Sequence, residues 1–416
     1  MLHHRDFHKS LDALFLRHKW NPEIIEYYVY KVLRNISFAL ISLFIPIYLY
    51  SDLNYSLFEI ILFFLINEIF FLIFIPFSGK IIEKLGIKHS ILAHLPGMII
   101  FTFGLRFLSG DFYGDLWIIC LILLIRVLPK SILTAAEQVF VAKNILNQKG
   151  HDGQGLATIR IVLITASLIS PLVGGFITFY FGFDMFFNFA IIIMVLAMIP
   201  LLLTKDQYFH STKSPKNILK YFFREVPKNF HIAEGARWSV DSLLWIVWPL
   251  FLFVVVQNTK DLGILISVSA VISIGVSYYV GKRIDSKPSK KLFKKMTKIS
   301  SSIFFLRTIV PNQIVIVFFD SINKILDPIL MLPYEKYYYN FIKSNKNILE
   351  ISIASVLIME IAYFISLIFL AVYFGVIAYL DIAITYFVFI GLFFSYGLLI
   401  LLFVKISEIV DDEDEN

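Results

Sequence analysis

The sequence holds one cysteine, Cys120, so no disulfide can close within the chain and no thiol pair is spaced to grip a metal ion. Charge is scarce too: Asp, Glu, Lys and Arg make up 16% of the residues, where soluble domains carry about 25%. No G-x-x-x-x-G-K-(S/T) phosphate loop is present, which excludes an ATP-driven pump built within this chain, and the H-E-x-x-H pair of an intramembrane zinc protease is also missing. Ser277 in "GVSY" has no histidine at its depth to activate it, since His94 lies near the end of its own apolar run. The first twenty residues, "MLHHRDFHKSLDALFLRHKW", lack the apolar core and small-residue cleavage site of a secretory signal. These absences argue against an enzyme, and neither a metal nor a bound cofactor is expected.

What the chain has in excess is apolar length. Hydrophobic residues make up 58% of it, mean hydropathy is +0.77, and runs of about 20 apolar residues, enough to cross a hydrocarbon layer, recur throughout. Twelve are counted, numbered here as spans 1 to 12: 27–49, 57–79, 90–108, 116–142, 156–180, 183–203, 232–256, 262–281, 292–310, 313–334, 348–374 and 379–405. Lys294, Lys295 and Lys298 crowd the start of span 9, so charge bias is needed to test it. With the N-terminus in the cytoplasm, the segments on that side carry 27 Lys and Arg, and the opposite loops carry only Lys260. Removing span 9 would swap the sides of every later loop and destroy this positive-inside pattern. The same bias accounts for the net charge of +6 and the pI near 9.0, so no nucleic-acid partner is expected.

The chain therefore reads as an all-α polytopic membrane protein. Residues 1–24 form an amphipathic cytoplasmic segment, with Phe7, Leu11, Leu14 and Phe15 on one helical face. Six spans fill 25–203, a polar cytoplasmic linker covers 204–231, six more spans fill 232–405, and 406–416 is an acidic cytoplasmic tail. The halves also echo each other. "GKIIEKLGIKH" at 79–89 follows span 2, and "GKRIDSKPSKK" at 281–291 follows span 8, with Gly281, Asp285 and Lys290 against Gly79, Glu83 and Lys88. Two pseudo-symmetric six-helix bundles in tandem are the natural inference.

Gly79, Glu83, Gly86 and Lys88 give G-x-x-x-(D/E)-x-x-G-x-(R/K), which resembles the loop between helices 2 and 3 of the major facilitator superfamily. "ASLISPLVGG" is similar to that family's helix 5 pattern through Ala166, Ser170, Pro171, Gly174 and Gly175, with serine where the pattern has glycine before proline. "FGFDMFFNF" then looks like the family's opening of helix 6. The resemblance implies the family's fold of 12 transmembrane helices and alternating access by rocking of two halves. It also implies that Glu83 latches the cytoplasmic side against helix 11, where "NILE", Asn347 to Glu350, reads as a capping box. The second copy has Pro288 in place of the later glycine and reads as a turn. In the family the helix 5 pattern is associated with antiporters and exporters; close packing of small residues is the plainer reading.

Ionisable residues inside a bilayer are functional candidates by default. Span 4 carries Arg126, Lys130 and Glu137 on one face, and span 10 carries Asp320, Lys324 and Asp327 on one face. Each stripe serves substrate and protons, or else ties helices together as an internal salt-bridge set. By resemblance, Arg126 matches an arginine linked to proton coupling or substrate contact, although Lys130 stands where the family has glycine. Span 7 places Trp238, Asp241, Trp245 and Trp248 on one stripe, suited to an organic cation, an amphipathic compound or a sugar ring, or simply to aromatic packing. Glu68 and Glu360 lie near the middle of their spans as proton carriers, or as carboxyls that hydrogen-bond across helices. The acids taken as intramembrane (Glu68, Glu137, Asp241, Asp320, Asp327, Glu360) and the bases so taken (Arg34, Arg126, Lys130, Arg160, Arg237, Lys324) number six each, which leaves the substrate's charge open.

The resulting expectation is a monomeric secondary transporter of a small organic molecule in the plasma or inner membrane, driven by a proton gradient and leaning to antiport and export. Asp241, Trp245, Trp248, Arg126, Lys130 and Lys324 would bind substrate, and Glu68, Asp320, Asp327 and Glu360 would carry protons. The alternatives are a receptor or assembly factor that keeps the fold without transport, and a lipid transporter. Tags at both termini and in the 204–231 linker should all report the cytoplasmic side in an accessibility assay; a split result would break the count of twelve spans.

Overall fold

Hydrocarbon offers no hydrogen bonds, so a spanning segment must satisfy its own backbone, and a helix does this within one segment. The computed structural model describes residues 22–141, 152–203, 222–268, 290–306, 312–344 and 348–409, and these are helical with no strand among them. Eight of the described helices are long and apolar enough to cross a membrane. They account for spans 1 to 7, 11 and 12, because spans 5 and 6 run together as Asp152–Leu203, turned at Gly182 (φ 76°, ψ 176°). Spans 9 and 10 are also helices, Lys290–Leu306 and Gln313–Ser344, the first described over only 17 residues and the second interrupted by Asp320, Lys324 and Asp327. Span 8 is described only over its first part, as helical residues 259–268. The expected N-terminal surface helix, most of the linker (204–221), the echo at 281–289, Asn347 and the end of the acidic tail (410–416) lie outside the described residues.

Local sequence explains where the helices start and break. Ser56 and Glu59 close a capping box that opens span 2, each side chain answering the other's backbone N–H. At the far end of that span, Gly86 takes φ 79° and ψ 166°, a backbone that only glycine adopts cheaply, and separates helix Ser78–Leu85 from Ile87–Leu92. Asp115, before span 4, collects the Ser109 and Gly110 amides, the Ser109 hydroxyl and the Tyr55 hydroxyl on one carboxylate. Span 7 carries a π-helical turn, Leu243–Val247, just before Pro249. Such turns recur at functional sites, because they shift the register of the side chains beyond them.

The bundle has two faces. One, the motif face, carries residues 79–89 and the start of span 11; the other carries the short links after spans 1, 3 and 7. Within the halves span 1 packs along spans 5 and 6 and span 7 against spans 11 and 12; between them span 11 packs along spans 2 and 4 and span 7 against span 1, so the two halves meet along several helices. On the face opposite the motif, spans 5 and 8 come closer than side chains allow: Gly175 backs onto the Thr259 carbonyl and Gly263, and Gly263 faces the Pro171 carbonyl. Lys260 closes that end, with its ammonium 3.3 Å from the Tyr180 hydroxyl and over the Phe176 and Phe179 rings. On the motif face the halves are joined by polar groups instead. Ser355 of span 11 donates to Gln138 Oε1 of span 4 at 2.9 Å and Gln138 reaches Met359 Sδ at 3.7 Å, while Tyr338 meets Ser355 at 2.9 Å from within the second half.

A side chain at Gly175 would collide with backbone, which cannot swing away. Gly175→Leu should lower thermal stability in detergent by about 1–3 kcal/mol, the usual cost of overpacking. Gly235→Ala, whose new methyl would sit 3.9 Å from Ala362, should change it little.

Candidate functional site

Ionic groups from both halves gather at mid-depth. Glu68 lies eleven residues into the helix from Leu57, and Glu360 twelve residues into the helix from Ile348. At a rise of about 1.5 Å per residue, the two descend roughly 17 and 18 Å from opposite faces. There they meet: the Glu360 carboxyl interacts with that of Glu68 within hydrogen-bonding reach, and with Lys130 and Arg126. Both acids are buried. Arg126 donates from Nη1 to Asn67 Oδ1 at 3.2 Å, and Asn67 Nδ2 donates to Glu68 Oε1 at 2.7 Å, so a neutral amide links the guanidinium to the acid. Arg126 also stacks over Phe101 at 4.7 Å, and Lys130 over Phe71 at 4.5 Å. Tyr363, one turn beyond Glu360, shares the fields of Glu68, Glu360, Arg126 and Asp241.

Toward the motif face, Glu137 turns away from this centre and binds span 1. Lys31 Nζ is 2.7 Å from Oε2 and Arg34 Nη1 is 3.0 Å from Oε1, with all three side chains largely buried. Two cations on one carboxylate fix the angle between spans 1 and 4. Behind them lies His94, fully buried, its ring 5.0 Å from that of Phe38 and neither nitrogen hydrogen-bonded. In the second half, Glu234 is fully buried; it accepts from Tyr334 at 2.5 Å and Trp238 Nε1 at 3.1 Å, and it lies 3.8 Å from Arg237. Arg237 also reaches Asp241 at 4.0 Å and sits over the Tyr334 ring. Spans 7 and 10 are joined through this set.

The other expected residues are placed as follows. Trp248 is buried, stacked on Phe251 at 5.3 Å and set against Phe393 of span 12 at 5.5 Å, while Trp245 is 51% exposed. The π turn ends between them, so the stripe expected from regular helical spacing is not continuous. Asp320 is buried, Lys324 and Asp327 are half-buried, and all three lie on span 10 before the Tyr334 contact. Glu83 is half-buried on the short helix Ser78–Leu85, which packs against span 11. Lys88 donates to the Leu202 carbonyl at 2.9 Å, at the end of span 6. Ser170 donates to the Ile36 carbonyl at 2.9 Å and Gly174 backs onto Phe44, so the helix 5 pattern packs span 5 on span 1 as well as on span 8. Sequence reasoning passed over Glu234, Lys31, Asn67 and the placement of His94. Glu234, Arg237 and Asp241 at i, i+3 and i+7 were the available signal for the first, but Asn67 could only be found once spans 2 and 4 were packed. Among the described residues, no group of three His, Cys, Asp or Glu side chains could hold a metal ion.

The described residues thus form a membrane-spanning helical bundle whose halves meet over buried charge. The sequence model of the Major Facilitator Superfamily matches residues 32–332, and the chain belongs to that family. No curated protein matches it in sequence. Among solved structures it is similar to a D-xylose–proton symporter (14% identity, TM-score 0.65, covering 92% of this chain and 97% of that one). It is also similar to the human organic anion transporter MFSD10 (TETRAN), at 12% identity and TM-score 0.62, covering 94% and 100%. A third likeness, to a structure addressing substrate recognition in proton dependent oligopeptide transporters, has 10% identity and TM-score 0.66, covering 94% and 98%. At these identities the likeness is one of fold.

Removing the Glu137 charge leaves Lys31 and Arg34 buried without their shared carboxylate. Glu137→Gln should cost about 3 kcal/mol of stability, the lower end for breaking a buried pair. Thermal unfolding of the purified protein checks this, and Lys31→Met made on top of Glu137→Gln should recover part of the loss.

Proposed function

We propose that the chain is a proton-coupled secondary transporter of a small organic molecule, with the carboxyls of Glu68 and Glu360 as its coupling element. The observation that carries this is their meeting at mid-depth, one acid from each half, beside Arg126 and Lys130. Two charged carboxyls in contact repel, and one shared proton removes the repulsion. When the halves rock apart the pair is parted and that reason for holding a proton disappears, so proton uptake and release follow the conformational cycle. Asp320 and Asp327 would extend the proton route along span 10, and Lys324, Asp241, Trp245 and Trp248 would complete the substrate's surroundings. Two of the structural relatives are themselves named for proton coupling.

In this reading the polar contacts of Gln138, Ser355 and Tyr338, with Glu83 above them, form the latch that opens on the motif face. The glycine contact of spans 5 and 8 forms the opposite closure. The motif face is the cytoplasmic one, by the bias of its Lys and Arg. Export and antiport are supported by the helix 5 pattern of Ser170, Pro171, Gly174 and Gly175. The protein would work as a monomer in the plasma or inner membrane.

The test is flux of labelled sugars, nucleosides, amino acids, organic acids and lipophilic cations in proteoliposomes that contain a trapped pH dye. An accepted compound should move protons with it, and the direction of that movement gives symport or antiport. Glu68→Gln or Glu360→Gln should slow proton-coupled flux at least about tenfold, a loss of about 1.4 kcal/mol, while exchange of the compound between the two sides persists. Coupling that survives both substitutions would overturn the assignment. Tight binding with no flux of any compound would favour the receptor reading.

A further inference from the structure

We propose that the compound this centre takes is a small organic anion, held by Arg126 and Lys130 with Arg34 and His94 at its edge. The proposal rests on the transport reading only in treating the centre as the substrate site.

Arg34 and His94 lie against the same Phe38 ring, at 4.6 and 5.0 Å, and Arg34, Lys130, Arg126 and Lys31, from spans 1 and 4, all act electrostatically on His94 of span 3. The acids that face the same region are Glu137 from span 4, Glu68 from span 2 and Glu360 from span 11. Four bases stand against three acids, and those acids are partly spent. Glu137 is shared between Lys31 and Arg34, and Glu68 and Glu360 face each other as well as the bases.

Arg126 and Lys130 are held in place with no ion pair among the described contacts, whereas Arg34 already shares Glu137 with Lys31. Arg126 makes its one described hydrogen bond to a neutral amide, and its buried Nε has no partner. Lys130 rests on the Phe71 ring at 4.5 Å, Arg126 on Phe101 at 4.7 Å and Arg34 on Phe38 at 4.6 Å. A ring face fixes a cation for a fraction of what a buried carboxylate supplies, so the charges of Arg126 and Lys130 stay available. Arg34 Nε is likewise buried and unpartnered, as are both nitrogens of His94, of which a neutral ring offers one as a donor. Unused donors in a dry interior cost free energy that a ligand with acceptor oxygens would recover. A carboxylate or phosphate group supplies those oxygens and the missing negative charge together, and the phenyl rings beneath suit an apolar remainder.

The second half shows the opposite balance. Arg237 of span 7, largely buried, already lies between Glu234 and Asp241, and Trp238 donates to Glu234. An organic cation would have to displace Arg237 from Asp241, whereas an anion at Arg126 and Lys130 displaces only an amide and a ring.

Thermal unfolding of the full chain in detergent tests this with benzoate, hexanoate, succinate and phenyl phosphate against benzylammonium and benzyl alcohol. At least one anion should raise the melting temperature in a saturable way, while the ammonium and the alcohol do not. Arg126→Gln and Lys130→Gln should each weaken that anion at least about tenfold, and Arg126→Lys should keep part of the affinity. Stabilisation by benzylammonium or benzyl alcohol alone, silence from all four anions, or anion binding unchanged in both glutamine variants would each overturn the proposal. An anion that binds but is never carried into proteoliposomes would leave the anion site standing and sink the transport reading. A neutral or cationic compound carried with protons would do the reverse.

Discussion

A charge in hydrocarbon must find another charge, a hydrogen-bonding partner or water, and this constraint organises the whole bundle. Glu137 draws spans 1 and 4 together through Lys31 and Arg34, and Glu234 draws spans 7 and 10 together through Tyr334 and, beside it, Arg237. Each half thus settles its own principal ion set internally. The group of Glu68, Glu360, Arg126 and Lys130 is assembled from both halves, so its balance of charge depends on how the halves stand to each other. A transporter needs that property at one place and would be hindered by it elsewhere.

The two ends of the bundle are closed by different physics. Away from the motif, Gly175, Gly263 and the Pro171 carbonyl bring two backbones into contact, a fit that depends on shape and leaves no room for a side chain. Dispersion across such a contact is lost steeply with small separations. On the motif face, Gln138 of one half meets Ser355 and Met359 of the other through contacts that water could replace if the halves parted. The polar end is the cheaper one to open, and it lies on the same face as the Gly86 turn, which carries Glu83 and Lys88.

Much of this was legible beforehand because bilayers impose long, simple patterns. Hydrophobic runs placed the helices, and spacing put Arg126 and Lys130 together on span 4, where both face the centre. Gly86 read as a turn and takes the positive φ that such a turn requires. The stripe of Trp245 and Trp248 was drawn on a regular helix; the π turn is a tertiary accommodation that period counting does not see, and the two indoles differ widely in burial. Glu137 shared a helical face with Arg126 and Lys130 in sequence, yet its partners came from span 1, which no spacing within span 4 could indicate.

The sequence by itself determined that this chain crosses a membrane many times, which helices carry charge, and which family it resembles, because these follow from composition, period and short motifs. Only the tertiary structure decided which charges answer which. Glu68 and Glu360 are 292 residues apart in the chain, and their contact exists because spans 2 and 11 pack across the two halves. Coulomb interaction acts over a few ångströms in space and is indifferent to distance along the chain, so the pairing appears only once the helices are packed.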